Sequence, residues 1–400
     1  MNVNNLVEEV RKLINKKGRQ LDDDEVREII HEYLLSYPDG EAYTCRTLAQ
    51  IGERIFYAIR KDLDILAPLA EDPLITEIMV NGKDHIFVER KGKLEKSDAY
   101  FETTENLVEV IRRITAKVQR EINELNPIVD ARLPDGSRVN GVYKNIALNG
   151  PILTIRKFPE TGFTMGDLIR LGTLTTECAD YLKVLVESGY NCFVSGGTST
   201  GKTTFLNVLS DYIPKEERVI VIEDSAEMQI GNIANIVRME CKNANSEGRG
   251  QVEMEKLIKT SLRMRPDRII IGEVRGKEVM DMIQAMNTGH SGSLSSGHGN
   301  SIEGMLRRLE SMFLQAADFP IDAIRGQIAE GIDIMIHLGR LPDRSRKVME
   351  VAEVIGFKNG AIETSTLFKY QRTDGLKRTE NKLFHREKLE LRRWEDAATL

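Results

Sequence analysis

The chain has 400 residues, of which 41% are hydrophobic and 30% charged, and a formal net charge of −6. That length exceeds what one hydrophobic core fills, so two or three domains are expected, and the composition excludes disorder of the whole chain. The acidic balance supplies no global field for capturing nucleic acid, and no run approaches the ~18 apolar residues of a membrane span.

The stretch Met1-Asn2-Val3-Asn4-Asn5 lacks the basic and apolar regions of a secretory signal, so a cytoplasmic location is expected. Apolar residues then recur at Val3, Leu6, Val7, Val10, Leu13 and Ile14, the stripe of a helix ending near Gly18. A second helix starts in Asp22-Asp23-Asp24, buries Val26, Ile29, Ile30, Tyr33 and Leu34, and stops at Pro38-Asp39-Gly40. Leu48, Ile51, Ile55 and Ile59 mark a third, which makes residues 1–60 a small helical appendage suited to packing or docking.

From Ile75 the pattern turns to short β-rich runs around an Asn81-Gly82 turn. A helix with Leu107, Val110, Ile111 and Ile114 follows, then strand-like pieces around Pro134-Asp135-Gly136 and the run Ile152-Leu153-Thr154-Ile155. Residues 61–156 therefore read as an α/β domain, and 157–167, where Pro159, Gly162 and Gly166 cluster, as a linker. Beyond it strands alternate with helices: Cys192-Phe193-Val194, Thr203 to Leu209, Val219 to Ile222, Met254 to Met264, and Ile269 to Ile271. Such alternation predicts a parallel sheet wrapped by helices over 168–375. The remainder, 376–400, with the only tryptophan at Trp394, reads as a charged tail, a solvated helix in preference to a partner contact. Cys45, Cys178, Cys192 and Cys241 show no metal-site or CxxC spacing and read as reduced, mostly buried side chains.

Gly196-Gly197-Thr198-Ser199-Thr200-Gly201-Lys202-Thr203, followed by Thr204, fits GxxxxGK[ST] between an apolar strand and a helix. Glycines let backbone N–H groups curl around phosphate oxygens, and the helix N-terminus points its positive end at the same anion. Lys202 is expected to reach the β- and γ-phosphates of ATP, and the Thr203 hydroxyl to ligate Mg²⁺.

Two further strands end in carboxylates, Glu223-Asp224 after Val219-Ile220-Val221-Ile222, and Glu273 after Ile269-Ile270-Ile271-Gly272. In a parallel sheet both ends fall on the phosphate-loop edge, where one acid can hold the metal's water shell while another orients the attacking water. Glu273 is the first candidate catalytic acid and Glu223 the second. Which of Asp224 and Glu273 touches the metal stays open. His290 and His298 lie in a Gly/Ser/Thr/Asn stretch, 287–300, that reads as an exposed or functional loop. His31, His85, His337 and His385 carry no such context.

These boxes together resemble a known family. Val221-Ile222-Glu223-Asp224-Ser225-Ala226-Glu227 looks like the acidic box of secretion ATPases, and Met264-Arg265-Pro266-Asp267-Arg268-Ile269-Ile270-Ile271-Gly272-Glu273-Val274-Arg275-Gly276 like their Walker B segment. The stretch from Ala285 to His298 looks like their histidine box. Thr76 to Gly82 and Asp130 to Asn140 resemble the tight-adherence (Flp, CpaF-like) pilus branch of the type II/IV secretion ATPases. The resemblance covers roughly 61–370.

It implies an α/β chain in which a RecA-like P-loop ATPase domain follows a smaller α/β N-terminal domain and a helical segment. It further implies a homo-hexamer, peripherally associated with the cytoplasmic membrane, that turns ATP hydrolysis into work on inner-membrane platform proteins of a pilus or secretion machine. By similarity, Arg132, Arg138 and Arg156 become candidates for contacting phosphates at a domain or subunit junction, and His298 for binding the nucleotide. Ser296 and Gly299 replace the family's more usual Thr and Ala, which predicts altered mobility near His298. The competing readings are a conjugation-type or nucleic-acid-translocating ATPase and a nucleotide-binding scaffold without turnover.

Overall fold

The computed structural model describes residues 3–391 except 39–42, 91, 119, 134, 159–161, 243 and 245–248. The chain divides into two compact units, Met1–Glu160 and Thr161–Leu400. The division falls inside the stretch read as a linker, whose Pro159 lies outside the described residues, as does Trp394.

The first unit opens with helices α1 (Val3–Lys16), α2 (Asp23–Leu35) and α3 (Cys45–Arg60). Their starts are set by side chains that satisfy orphan N–H groups: Asp22 and Glu25 form a reciprocal capping box on α2, and Thr44 caps α3. The stripes Val3-Leu6-Val7-Val10, Val26-Ile30-Leu34 and Ile55-Phe56 bury one another as a separate core. A short helix α4 (Ala67–Glu71) leads to β1 (Ile75–Asn81), β2 (Ile86–Arg90), β3 (Lys93–Lys96), helix α5 (Thr104–Lys117), β4 (Ile128–Arg132), β5 (Arg138–Val142) and β6 (Ile152–Arg156). The sheet order is β3-β2-β1-β6-β5-β4, antiparallel throughout. One face buries Ile78, Val80, Leu153 and Ile155 against Val110, Ile111 and Ile114 of α5. The Asn81-Gly82 turn needs its glycine: φ is +78°, and a Cβ there would sit 2.3 Å from the Asn149 carbonyl oxygen.

The second unit begins with α6 (Met165–Arg170) and α7 (Thr176–Glu187), then β7 (Cys192–Gly196), α8 (Lys202–Ser210), β8 (Val219–Glu223), β9 (Ile236–Glu240), α9 (Met254–Ser261) and β10 (Arg268–Val274). It continues through α10 (Val279–Asn287), β11 (Leu294–His298), α11 (Ile302–Ala316), α12 (Ile321–Gly331), β12 (Ile334–Arg340), β13 (Arg346–Lys358), β14 (Ala361–Gln371), β15 (Gly375–Arg378) and α13 (Glu387–Leu391). The nine-stranded sheet runs β15-β14-β13-β12-β7-β11-β10-β8-β9. From β12 to β9 all pairs are parallel, and β13 to β15 extend the edge as an antiparallel meander. Two cores cover its faces, one through α7 and α8, the other through α10, α11 and α12. The fold class agrees with expectation: this is a mixed α/β chain whose second unit is a largely parallel sheet covered by helices on both faces.

Two expectations are corrected here. The polar stretch 287–300 is not a loop throughout, because Leu294–His298 forms β11, an interior strand between β7 and β10, with Ser293, Ser295 and Ser296 buried. Small residues are required there: a Cβ on Gly297 would lie 2.8 Å from the Met305 methyl and 2.9 Å from the Phe193 ring. The segment after 375 is not a solvated tail up to residue 391. Gly375–Arg378 pairs with β14, Leu383 and Leu389 are buried, and the buried Glu353 carboxylate accepts the N–H groups of Phe384 and His385 at 2.6 and 2.7 Å.

Candidate nucleotide site

Parallel pairing brings the carboxyl ends of β7, β11, β10 and β8 to one edge. His298 is in register with Gly196, and Ile271 with Ile222, so the phosphate loop, His298, Glu273 and Glu223 converge. The loop is folded tightly onto β12: a Cβ on Gly196 would sit 2.6 Å from Thr200 Oγ1 and 2.8 Å from the Leu338 carbonyl oxygen. Ser199 (φ 59°) and Gly201 (φ 92°) take left-handed conformations, and the Thr200 hydroxyl donates to the Gly197 carbonyl at 2.9 Å. Helix α8 starts at Lys202, directing its N-terminal end at the loop. Thr198 and Ser199 form the exposed rim, Gly197 is half-buried, and so is Thr203 at the helix start.

Lys202 is buried, and its Nζ donates to the Gly197 carbonyl at 3.0 Å and to His298 Nδ1 at 3.2 Å. Nδ1 therefore accepts, which places the imidazole proton on Nε2. That nitrogen lies 2.8 Å from Glu273 Oε1, yet off the line of a hydrogen bond, so the buried Oε1 has no hydrogen-bond partner among the described residues. Glu273 Oε2 takes a 3.0 Å bond from Arg275, whose other terminal nitrogen lies 3.5 Å from Asp224. Burial pushes the Lys202 ammonium below its ordinary pKa, opposed by Glu273 and reinforced by Arg275. Burial likewise lowers His298, against the pull of Glu273. Asp224 is largely exposed and turned toward Arg275.

The placement of the two glutamates depends on Gly272. β10 carries a bulge between Ile271 and Val274 relative to β11, and the Ser296 hydroxyl donates to the Gly272 carbonyl at 2.6 Å. Glu223 packs across Gly272, where a Cβ would lie 3.1 Å from its Cγ. The buried Glu223 Oε1 accepts the backbone N–H groups of Glu227 and Met228 at 2.8 and 3.0 Å. It is thus a fixed acid.

The arginines named from the sequence lie in the first unit. They form a cross-strand row, Arg132 opposite Arg138 and Arg138 opposite Arg156, continued by Glu77 and Glu89. His290 does not join the site: its Nδ1 lies 3.1 Å from the Ala285 carbonyl at the end of α10. His337 pairs with buried Ser195 at 2.9 Å, one residue before the phosphate loop.

Sequence reasoning missed the far side of the loop. Arg346, at the start of β13, donates from Nε to the Ser199 carbonyl at 3.0 Å. Arg344, Ser345 and Arg346 join Phe163, Leu168 and Thr204 around a cavity of about 230 Å³ beside the loop. No local pattern marks these residues, because the contact spans 147 positions. A larger cavity of about 490 Å³, bordered by Tyr190, Asp333 and Lys388, opens near the starts of β7 and β12 and holds none of the motif residues.

The family described as "Type II/IV secretion system protein" matches residues 60–386, and the chain belongs to it. Among relatives, the uncharacterized protein MJ0781 of Methanocaldococcus jannaschii is 39% identical over 280 residues, 68% of this chain, which spans 38% of that protein's length. The conjugal transfer protein TrbB of Rhizobium radiobacter is 30% identical over 306 residues, 75% of this chain and 90% of TrbB. The X-ray structure of the ATPase DotB of Legionella pneumophila shares the fold, with a TM-score of 0.52 at 20% identity over 72% of this chain and 79% of DotB.

Proposed function

We propose that this chain is an ATP-hydrolysing motor subunit that acts as a homo-hexameric ring at the cytoplasmic face of a membrane and drives pilus assembly or secretion through a membrane platform. The observation that carries the reading is the chain Lys202–His298–Glu273 beside the phosphate loop, with Glu223 fixed next to it. Loop amides and Lys202 bind the phosphates, the nucleotide displacing Lys202 from its bonds to Gly197 and His298. Glu273, whose buried Oε1 lacks an aligned donor, orients the attacking water and accepts its proton. Glu223 shapes the pocket floor without moving. Released from Lys202, His298 senses the terminal phosphate.

The oxygen donors suit Mg²⁺: the Thr203 hydroxyl at the start of α8 and the carboxylates of Asp224 and Glu273 at the strand ends would be the residues to hold it. When bound, it supplies charge neutralisation on the phosphates. The base would lie in the cavity under Phe163 and Leu168. The tight-adherence assignment rests on the sequence resemblance alone.

Glu273→Gln tests the reading. Mg-ATP affinity is expected to stay within a few-fold while steady-state turnover falls at least about 100-fold; unchanged turnover would remove Glu273 from the chemistry. A conjugation-type role is the second reading, favoured by the similarity to TrbB. Stimulation of turnover by single-stranded DNA that fades steeply with salt would select it.

A further inference from the structure

We propose that Arg346 is a positioning residue that holds the phosphate loop in its anion-binding shape from outside; this rests on the nucleotide-site reading above. β12 and β13 are joined by a short, internally bonded turn. The Leu341 N–H donates to the Ser345 carbonyl at 2.9 Å, and the Asp343 carboxylate accepts the Ser345 N–H at 2.9 Å and its hydroxyl at 2.7 Å. Arg344 takes a left-handed conformation (φ 69°), so the turn delivers Arg346 at a defined place on β13. There its Nε donates to the Ser199 carbonyl at 3.0 Å, and its Cδ lies 3.4 Å from where a Cβ on Gly201 would sit.

The consequence follows from peptide geometry. In a planar trans peptide the carbonyl and the next N–H point in opposite directions. Pinning the Ser199 carbonyl outward turns the Thr200 N–H toward the opposite, concave side, where a phosphate oxygen is received. Ser199 needs such a hold, since a non-glycine residue at φ 59° is seldom at its own minimum. Arg346 also lines the cavity beside the loop, so two roles are separable: bracing the loop, which a base-free polyphosphate would feel, or contacting the base, which only a nucleotide would feel.

The experiment is calorimetric titration of the full chain with Mg-ATP and with Mg-tripolyphosphate, in the wild type, Arg346→Ala and Arg346→Lys. Arg346→Ala is expected to weaken both ligands equally, by about tenfold, the loss of one charged hydrogen bond. Arg346→Lys, which keeps a cationic donor, is expected to recover most of it. In turnover, KM should rise with kcat within about twofold, because the side chain does not touch the reacting atoms. Weakened ATP with unchanged tripolyphosphate would assign Arg346 to the base cavity and overturn the proposal. Unchanged binding of both ligands, or a ligand-free melting temperature lowered in step with affinity in Ala and Lys alike, would overturn it too. A wild type that binds neither ligand refutes the nucleotide-site reading, and this inference with it.

Discussion

Replacing Lys202 with methionine should make the nucleotide-free protein more stable while destroying its grip on ATP. The ammonium is buried beside two neutral acceptors, the Gly197 carbonyl and His298 Nδ1, and burial, with Arg275 nearby, holds its pKa below the ordinary value against the pull of Glu273. An apolar side chain of similar length relieves that penalty, for a gain of about 1 kcal/mol, or about 2–4 °C in Tm for a unit of this size. Mg-ATP at 100 times its Kd should raise wild-type stability by about 2.7 kcal/mol, and so Tm by about 5–10 °C. Lys202→Met should show no such shift. Thermal unfolding followed by circular dichroism, with and without Mg-ATP, gives all four numbers. A ligand-free variant melting below the wild type would mean that the lysine stabilises the empty loop. A preserved ATP shift would refute the phosphate grip itself.

Gly272→Ala should disturb Glu223, since the new methyl would lie 3.1 Å from a side chain held by two backbone bonds; a loss of about 1–3 kcal/mol in urea unfolding is expected, together with reduced turnover. Arg268→Met should cost about 3–5 kcal/mol in the same assay, because the fully buried guanidinium pairs with Glu217 and donates to the Val186 carbonyl at 2.5 Å. Asp281→Asn should stabilise the protein by about 1 kcal/mol at neutral pH. Burial raises the Asp281 carboxyl above its ordinary value of 3.8, and Lys259, 3.5 Å away, offsets this only in part. A raised carboxyl penalises the folded state above its folded pKa, so the variant's advantage should shrink as pH falls through that value toward 3.8, and an advantage that grows in acid would contradict this account.

The sequence by itself determined the class of the chain and marked the candidate residues of its site. The GxxxxGK[ST] signature and the strand-ending acids are local patterns, each written in consecutive residues, and a parallel sheet must bring such strand ends to one edge. The helical stripes of residues 3–60 were legible for the same reason: amphipathic periodicity is a property of a short window. Only the tertiary structure decided what depends on partners far along the chain. Leu294–His298 looks like a loop because serines and glycines are turn formers, yet neighbours on both sides and Met305 above leave room for nothing larger in this interior strand. Leu376, Leu383 and Leu389 read as isolated apolar residues in a charged tail until the β14 edge and the surface around Tyr190 supply the burial. Arg346 meets Ser199 only because β12 pairs with β7, and strand order is set by packing across the sheet, which no window of sequence encodes.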